Sequence, residues 1–301
     1  MFKCVYLNPT IDKTLVFGDF RIGETNRPAS SLIQGGGKAL NAAKVFLELG
    51  SEVKVIGCVF ERDSQYIESA GIPSEFLRFR AGSSRINTKI FSDGVITEIN
   101  EAGMSFSEEM LTRLFDRVVS DVDEGDFVLL AGSLPKGAPS DYYAQMVREL
   151  NHKGARCIVD AEGEPLTLAL REGVYFIKPN DRELELLIGK KFSAPADMIS
   201  AVRETGAEVA AVSLGAEGGL ICDSSRAFRA YPLSLKVAST VGAGDSMVAG
   251  ACHALSKGMG LAEALRLGSA CAAASIELDG TGMCRIGDIE KKIPLIKIEE
   301  L

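Results

Sequence analysis

Histidine is nearly missing from this chain: His152 and His253 are the only two. A histidine triad or histidine metal cluster would have to use one of them, and His152 stands in a polar Asn-His-Lys-Gly turn. No two of the seven cysteines (4, 58, 157, 222, 252, 271 and 284) are spaced C-x-x-C. That argues against zinc and thioredoxin-type chemistry. Scattered through apolar runs, they read as small core hydrophobes in a reducing, cytoplasmic compartment. A surplus of positive charge is also lacking: 33 Lys and Arg face 41 Asp and Glu, a net charge of −8. This argues against a general nucleic-acid binder but leaves room for a small basic pocket holding a phosphorylated metabolite. No apolar run approaches the ~20 residues of a membrane span. The opening residues 1–7 read as a strand, too short and too polar at its end for a signal peptide.

What is present is 301 residues, 46% of them hydrophobic, enough for one large α/β domain or two ordinary ones. From residue 110 onward, strand-like runs (127–131, 157–160, 175–178, 209–214) alternate with helix-like ones (110–119, 142–150, 166–170, 182–187, 197–204). This alternation predicts a mostly parallel sheet covered on both faces, a three-layer α/β architecture. Short strand-like runs at 13–17, 30–33, 76–79, 85–91 and 95–100 break the rhythm. They are read as a small β-sheet lid drawn from residues 13–33 and 76–103, inserted into a single domain over 1–301. Ser92-Asp93-Gly94 makes the last pair a hairpin. Ligands of such sheets bind at the carboxyl ends of the strands. Asp12, Gly132-Ser133, Asn180 and Gly215 each follow a predicted strand.

The stretch Ser239-Thr240-Val241-Gly242-Ala243-Gly244-Asp245-Ser246-Met247 lies between a β-like run, 234–237, and a helix-like one. Glycines at a helix start leave N–H groups pointing outward, an anion site. An acid inside an anion site is either kept for chemistry or caps the helix, and both readings stand at this point. Gly36-Gly37-Lys38, with Asn41 one turn on, also opens a helix (39–49). It is not a Walker A loop, because Leu32 and Ala39 occupy the required Gly and Ser/Thr positions. Arg85, Asn87 and Lys89 share one face of a strand and suit a sugar phosphate, or form a solvated face. Asn180 and Glu183 form a capping box or organise waters around magnesium. Ser213 to Gly219 is a glycine-rich turn that admits a nucleotide or makes a hairpin corner.

Six ordered motifs then carry a resemblance over essentially the whole chain. They are Asn8-Pro9-Thr10-Ile11-Asp12, Gly36-Gly37-Lys38-Ala39-Leu40-Asn41, Gly132-Ser133-Leu134-Pro135-Lys136-Gly137, Lys178-Pro179-Asn180-Asp181-Arg182-Glu183, Val212-Ser213-Leu214-Gly215-Ala216-Glu217-Gly218 and the Gly242–Asp245 stretch. Together they resemble the PfkB branch of the ribokinase-like kinases, in its 1-phosphofructokinase and tagatose-6-phosphate kinase group. The resemblance implies the ribokinase-like αβα sandwich with a β-lid, and an enzyme using ATP and Mg2+. Asp245 would be the general base, and the N–H groups of Gly242, Ala243 and Gly244 the anion hole. Asp12, Gly36, Gly37 and Asn41 would hold sugar hydroxyls. Lys38, Arg85, Asn87 and Lys89 would face the substrate phosphate near Ser133, and Arg27 would reach it from the lid, across a homodimer interface. Lys178, Asn180, Glu183, Ser213, Gly215 and Gly218 would line the nucleotide side, Asn180 and Glu183 meeting magnesium through water. Fructose 1-phosphate is the expected acceptor, ahead of tagatose 6-phosphate and fructose 6-phosphate. A non-catalytic sugar-phosphate sensor is the reading from another class. Two departures stand out: Ala39 replaces a usual glycine, and the 56–62 region is shorter than usual.

Overall fold

The computed structural model describes residues 1–278 and 282–301. The chain opens with β1 (Phe2–Tyr6), β2 (Thr10–Phe17) and β3 (Ser30–Gly36), then α1 (Lys38–Glu48), β4 (Val53–Phe60) and the short α2 (Ser64–Glu68). Three strands follow, β5 (Ser74–Phe79), β6 (Arg85–Ser92) and β7 (Val95–Asn100). Strict alternation begins with α3 (Glu108–Ser120), β8 (Phe127–Ala131), α4 (Tyr142–His152), β9 (Arg156–Asp160), α5 (Gly163–Leu170) and β10 (Phe176–Ile177). The alternation then gives way to two helices, α6 (Asp181–Ile188) and α7 (Pro195–Glu204), and three strands, β11 (Val209–Ser213), β12 (Gly219–Cys222) and β13 (Ala227–Ala230). The chain closes with α8 (Ala243–Ser256), α9 (Leu261–Ile276), α10 (Ile286–Lys292) and β14 (Ile298–Glu300).

Ten strands form one sheet in the order β14-β13-β12-β11-β10-β9-β8-β1-β4-β5. It is parallel from β11 to β5 and antiparallel from β11 to β14. Period-2 alternation along the strands feeds two cores. Phe2, Cys4 and Tyr6 of β1 join α1, α8, α9 and α10 on one face. Val5 and Leu7 turn to the other face, with α3, α4, α5, α6 and α7. This is the ribokinase-like three-layer arrangement. Each fully buried Leu or Phe in these cores contributes on the order of 1.5–3 kcal/mol. The packing of α8 against α9 bears on the site. A Cβ on Gly250 would stand 2.9 Å from the Gly268 Cα, and one on Gly268 2.8 Å from the Met247 carbonyl. A larger residue at either position would push α8 off its seat and move Asp245 with it.

The second sheet has the order β3-β2-β6-β7. Its β2–β6 pairing is parallel and its outer pairings antiparallel. Two expectations need correction. Residues 76–79 do not join this small sheet. They lie in β5, parallel to β4 at the edge of the large one, where Phe79 is buried against Phe60 and Phe106. Residues 234–237 form no strand: Pro232 interrupts the ladder after β13, and the N–H groups of Ala238 and Ser239 go to the Ile276 carbonyl at the end of α9. The short segment after β4 has its own consequence. It leads into α2, whose backbone lies so close to Gly35 that a Cβ there would meet the Ile67 Cα at 2.7 Å. Asp63, at the start of α2, accepts from the Ser84 N–H at 2.9 Å and its hydroxyl at 2.6 Å. The root of the small sheet is thereby fixed from both sides. Its outer face leaves Ile33, Ile86 and Ile99 exposed.

Candidate active site

Gly242 takes a left-handed conformation (φ 77°) and is the N-cap of α8, with no side chain capping the helix. Asp245 is therefore the third helical residue and does not cap, so the bland reading of this acid fails. It is 8% exposed, and its Oδ2 accepts from Asn41 Nδ2 at 2.8 Å. Burial, reinforced by the charge of Asp160, pushes the Asp245 carboxyl up to about 6, against the opposing pull of Lys38, Asn41 and Lys178. The first N–H groups of a helix have no intrahelical partner. Of the three residues expected to supply the anion hole, Ala243 already donates to the Thr240 carbonyl at 3.3 Å. Lys178 Nζ lies 3.3 Å from where a Cβ on Gly244 would stand. A buried lysine over the positive end of a helix is an arrangement that an anion completes.

Lys38 is the first residue of α1, after Gly37 in the positive-φ region (98°). Its Nζ is 3.2 Å from Asp160 Oδ2. Burial disfavours the charged ammonium, but Asp160, Asp245 and Glu183 together outweigh this and push it above its ordinary value. Burial likewise opposes ionisation of Asp160, yet Lys38 and Lys178 hold that carboxyl below its ordinary range. Sequence reasoning missed Asp160. The available signal was the one that found Asp12, an aspartate at the carboxyl edge of the sheets.

The inner face of the small sheet presents Asp12 and Asn87 as register partners. Lys89, expected on a phosphate, is instead ion-paired to Asp12 at 3.1 Å, with both side chains about 5% exposed or less. Gly36 permits this, since a Cβ there would fall 2.3 Å from the Asp12 carboxyl carbon. Tyr6, also missed, ties the junction together. Its hydroxyl accepts from the Thr10 N–H at 2.7 Å and donates to the Gly36 carbonyl at 3.0 Å. Arg85 reaches Thr10 Oγ1 at 2.8 Å through Nε and Ser133 Oγ at 3.2 Å through Nη1. Asn8 Nδ2 donates to the same serine hydroxyl at 3.3 Å. The buried Oδ1 atoms of Asn41 and Asn87 have no partner among the described residues. Buried carbonyl oxygens are normally satisfied, so these two stand as open acceptors in the site. Arg27 is exposed on the β2–β3 loop and makes no ion pair or hydrogen bond to these residues.

On the other flank, the capping box is real. Glu183 N–H donates to Asn180 Oδ1, and Asn180 N–H to Glu183 Oε2, each at 2.8 Å. Asn180 also bridges to Ser213 at the end of β11. Gly215 and Gly218 both adopt positive φ, and a Cβ on Gly218 would meet the Ala230 carbonyl at 2.1 Å. Among the described residues, no cluster of three or more His, Cys, Asp or Glu could hold a bare metal ion.

A buried carboxylate with a lysine at the N-terminus of a helix is an arrangement that a phosphotransferase would use. Residues 7–286 match the pfkB family carbohydrate kinases, and the chain belongs to that family. It is 32% identical to the 1-phosphofructokinase of Escherichia coli K12, over 93% of this chain and 92% of the relative. It is 30% identical to the 1-phosphofructokinase of Bacillus subtilis 168, over the full length of both. The fold superposes on Escherichia coli phosphofructokinase-2 in complex with substrates and products with a TM-score of 0.91, at 27% identity over 98% of each chain.

Proposed function

We propose that this kinase transfers the γ-phosphoryl group of ATP to fructose 1-phosphate, giving fructose 1,6-bisphosphate and ADP. The observation that carries the phosphoryl-transfer reading is the setting of Asp245. It is a buried carboxylate with a raised proton affinity, held by Asn41 at the N-terminus of α8 with Lys38 and Lys178 nearby. The choice of acceptor is supported by the relatives named 1-phosphofructokinase and by the Arg85–Ser133 pair beside Asn87.

In this reading Asp245 accepts the proton of the attacking sugar hydroxyl as that oxygen bonds to the γ-phosphorus. The bond to the β-phosphate oxygen breaks and ADP leaves. A largely dissociative transfer places charge on the phosphoryl oxygens. The α8 N-terminus, Lys178 and Lys38 stabilise that charge from fixed positions. Asn41 and Asn87 offer their unpaired carbonyl oxygens to sugar hydroxyls. Arg85 holds the phosphate already on the sugar. Mg2+ fits as a companion of the nucleotide: Asn180 and Glu183 would meet it through water, and it would neutralise phosphate charge.

The test is an ADP-release assay with MgATP and fructose 1-phosphate, tagatose 6-phosphate or fructose 6-phosphate in turn. The highest kcat/KM is expected with fructose 1-phosphate. A preference for either of the other two would overturn the acceptor, and no release with any of them would overturn the kinase.

A further inference from the structure

Asp160 ends β9 with a carboxylate that is 4% exposed. Its register neighbour on β8 is Ala131, while on the other side the Val159–Ile177 pairing with β10 brings the charge of Lys178 alongside without an ion pair. Its ion-pair partner is Lys38, 3.2 Å away, and the Lys38 ammonium also donates to the Asp160 backbone carbonyl at 3.5 Å. These two contacts join the end of β9 to the first residue of α1, 122 positions earlier in the chain.

Lys38 needs such an anchor. A cation at the first helical position faces the positive end of the helix dipole. α1 has no acidic residue in its first turn and no side-chain cap, so no local anion offsets this. The lysine side chain is 39% exposed, and its four-carbon stem has many rotamers to explore. The anchor comes from across the sheet, and it leaves the ammonium within the field of both Asp245 and Glu183.

We propose that Asp160 is a positioning residue for phosphoryl transfer: its carboxylate and carbonyl hold the Lys38 ammonium beside Asp245, where it meets the anionic group in transit. This rests on the kinase reading above. It separates Lys38 from Arg85, which serves the phosphate already on the sugar. The charged and polar groups facing Asp245 are then Lys38 and Asn41 from α1, Asp160 from β9, and Lys178 after β10. Asp160 works on the reaction through Lys38 and does not itself touch the reacting atoms.

The experiment compares wild type, Asp160→Asn and Asp160→Glu. Thermal melts confirm that each variant folds. In Asp160→Asn, kcat should fall about 100-fold, as expected when a catalytic charge is misplaced by an ångström or so. KM for the sugar phosphate should change little, and Asp160→Glu should recover part of the loss. A second readout does not depend on turnover: lysine-ammonium NMR of the free enzyme, with Lys38 assigned by its loss in Lys38→Arg. A protected Lys38 signal is expected in wild type, absent in Asp160→Asn. An inactive wild type would end the kinase reading, while this signal would still decide the anchoring claim. The proposal is overturned by near-normal kcat in Asp160→Asn, by an unchanged Lys38 signal, or by a loss that saturating magnesium repairs, which would make Asp160 a metal partner instead.

Discussion

The two walls of the cleft handle charge in opposite ways. On the small sheet, Asp12 and Lys89 are buried together and neutralise one another at 3.1 Å, leaving Asn87 and Arg85 to face a ligand. On the edge of the large sheet, two buried carboxylates, Asp160 and Asp245, share two lysines unevenly. Asp160 takes the direct ion pair and is held below its ordinary range. Asp245 receives only an amide hydrogen bond and is pushed up to about 6. A closed pair fixes geometry, whereas an under-compensated acid retains affinity for a proton. In the proposed reaction, the first wall would hold the sugar and the second would react with it.

Three substitutions sharpen this contrast. Asp245→Asn should have the largest effect on rate, a roughly 10²–10⁴-fold loss of kcat as a general base is removed. The same change should stabilise the fold. The carboxyl of Asp245 titrates above its ordinary 3.8, so its ionised form is disfavoured in the folded state. Its contribution to stability is most favourable below the unfolded value and is lost as pH rises through about 6. A neutral amide escapes this cost, on the order of 1–3 kcal/mol at pH 7. A urea melt at pH 7 that finds the variant less stable than wild type would contradict the strained-acid account.

Lys89→Met should act the other way. Removing one partner of a buried pair leaves Asp12 uncompensated and costs about 3–5 kcal/mol of stability. Denaturant titration checks this, and the double change Lys89→Met with Asp12→Leu should recover much of the lost stability without recovering activity. If Lys89→Met melts like wild type, the closed-pair description of this wall is wrong.

The smallest effect is expected for Arg85→Ala, which leaves both charge clusters intact. It should raise KM for the sugar phosphate by roughly tenfold or more, in line with the loss of a charge-assisted contact, with KM for ATP nearly unchanged. Steady-state kinetics with each substrate varied in turn would show this. Equal rises in both KM values would remove Arg85 from the sugar side.

Features confined to a few neighbouring residues were legible in the sequence. The Gly242–Asp245 turn, the capping box from Asn180 to Glu183 and the shared face of Arg85, Asn87 and Lys89 all follow from spacing, and all three recur in the structure. Partnerships between distant segments were not legible. Lys89 meets Asp12 across 77 positions and Lys38 meets Asp160 across 122. Strand polarity patterns show which way a side chain faces but not which charge lies opposite. For that reason Lys89 read as a free cation and Asp160 as an ordinary strand end. Residues 76–79 were misplaced for a similar cause: a short strand has a pattern but no address, and β4 supplied the edge it pairs with.

The pH dependence of kcat/KM for the wild-type enzyme with its sugar phosphate tests the central claim about Asp245 most directly. A base must be ionised to accept a proton, so activity should fall tenfold per pH unit below an apparent pKa near 6, and this acidic limb should vanish from the residual activity of Asp245→Asn. An acidic limb near the ordinary carboxylate value of 3.8, or one that persists in Asp245→Asn, would contradict the account.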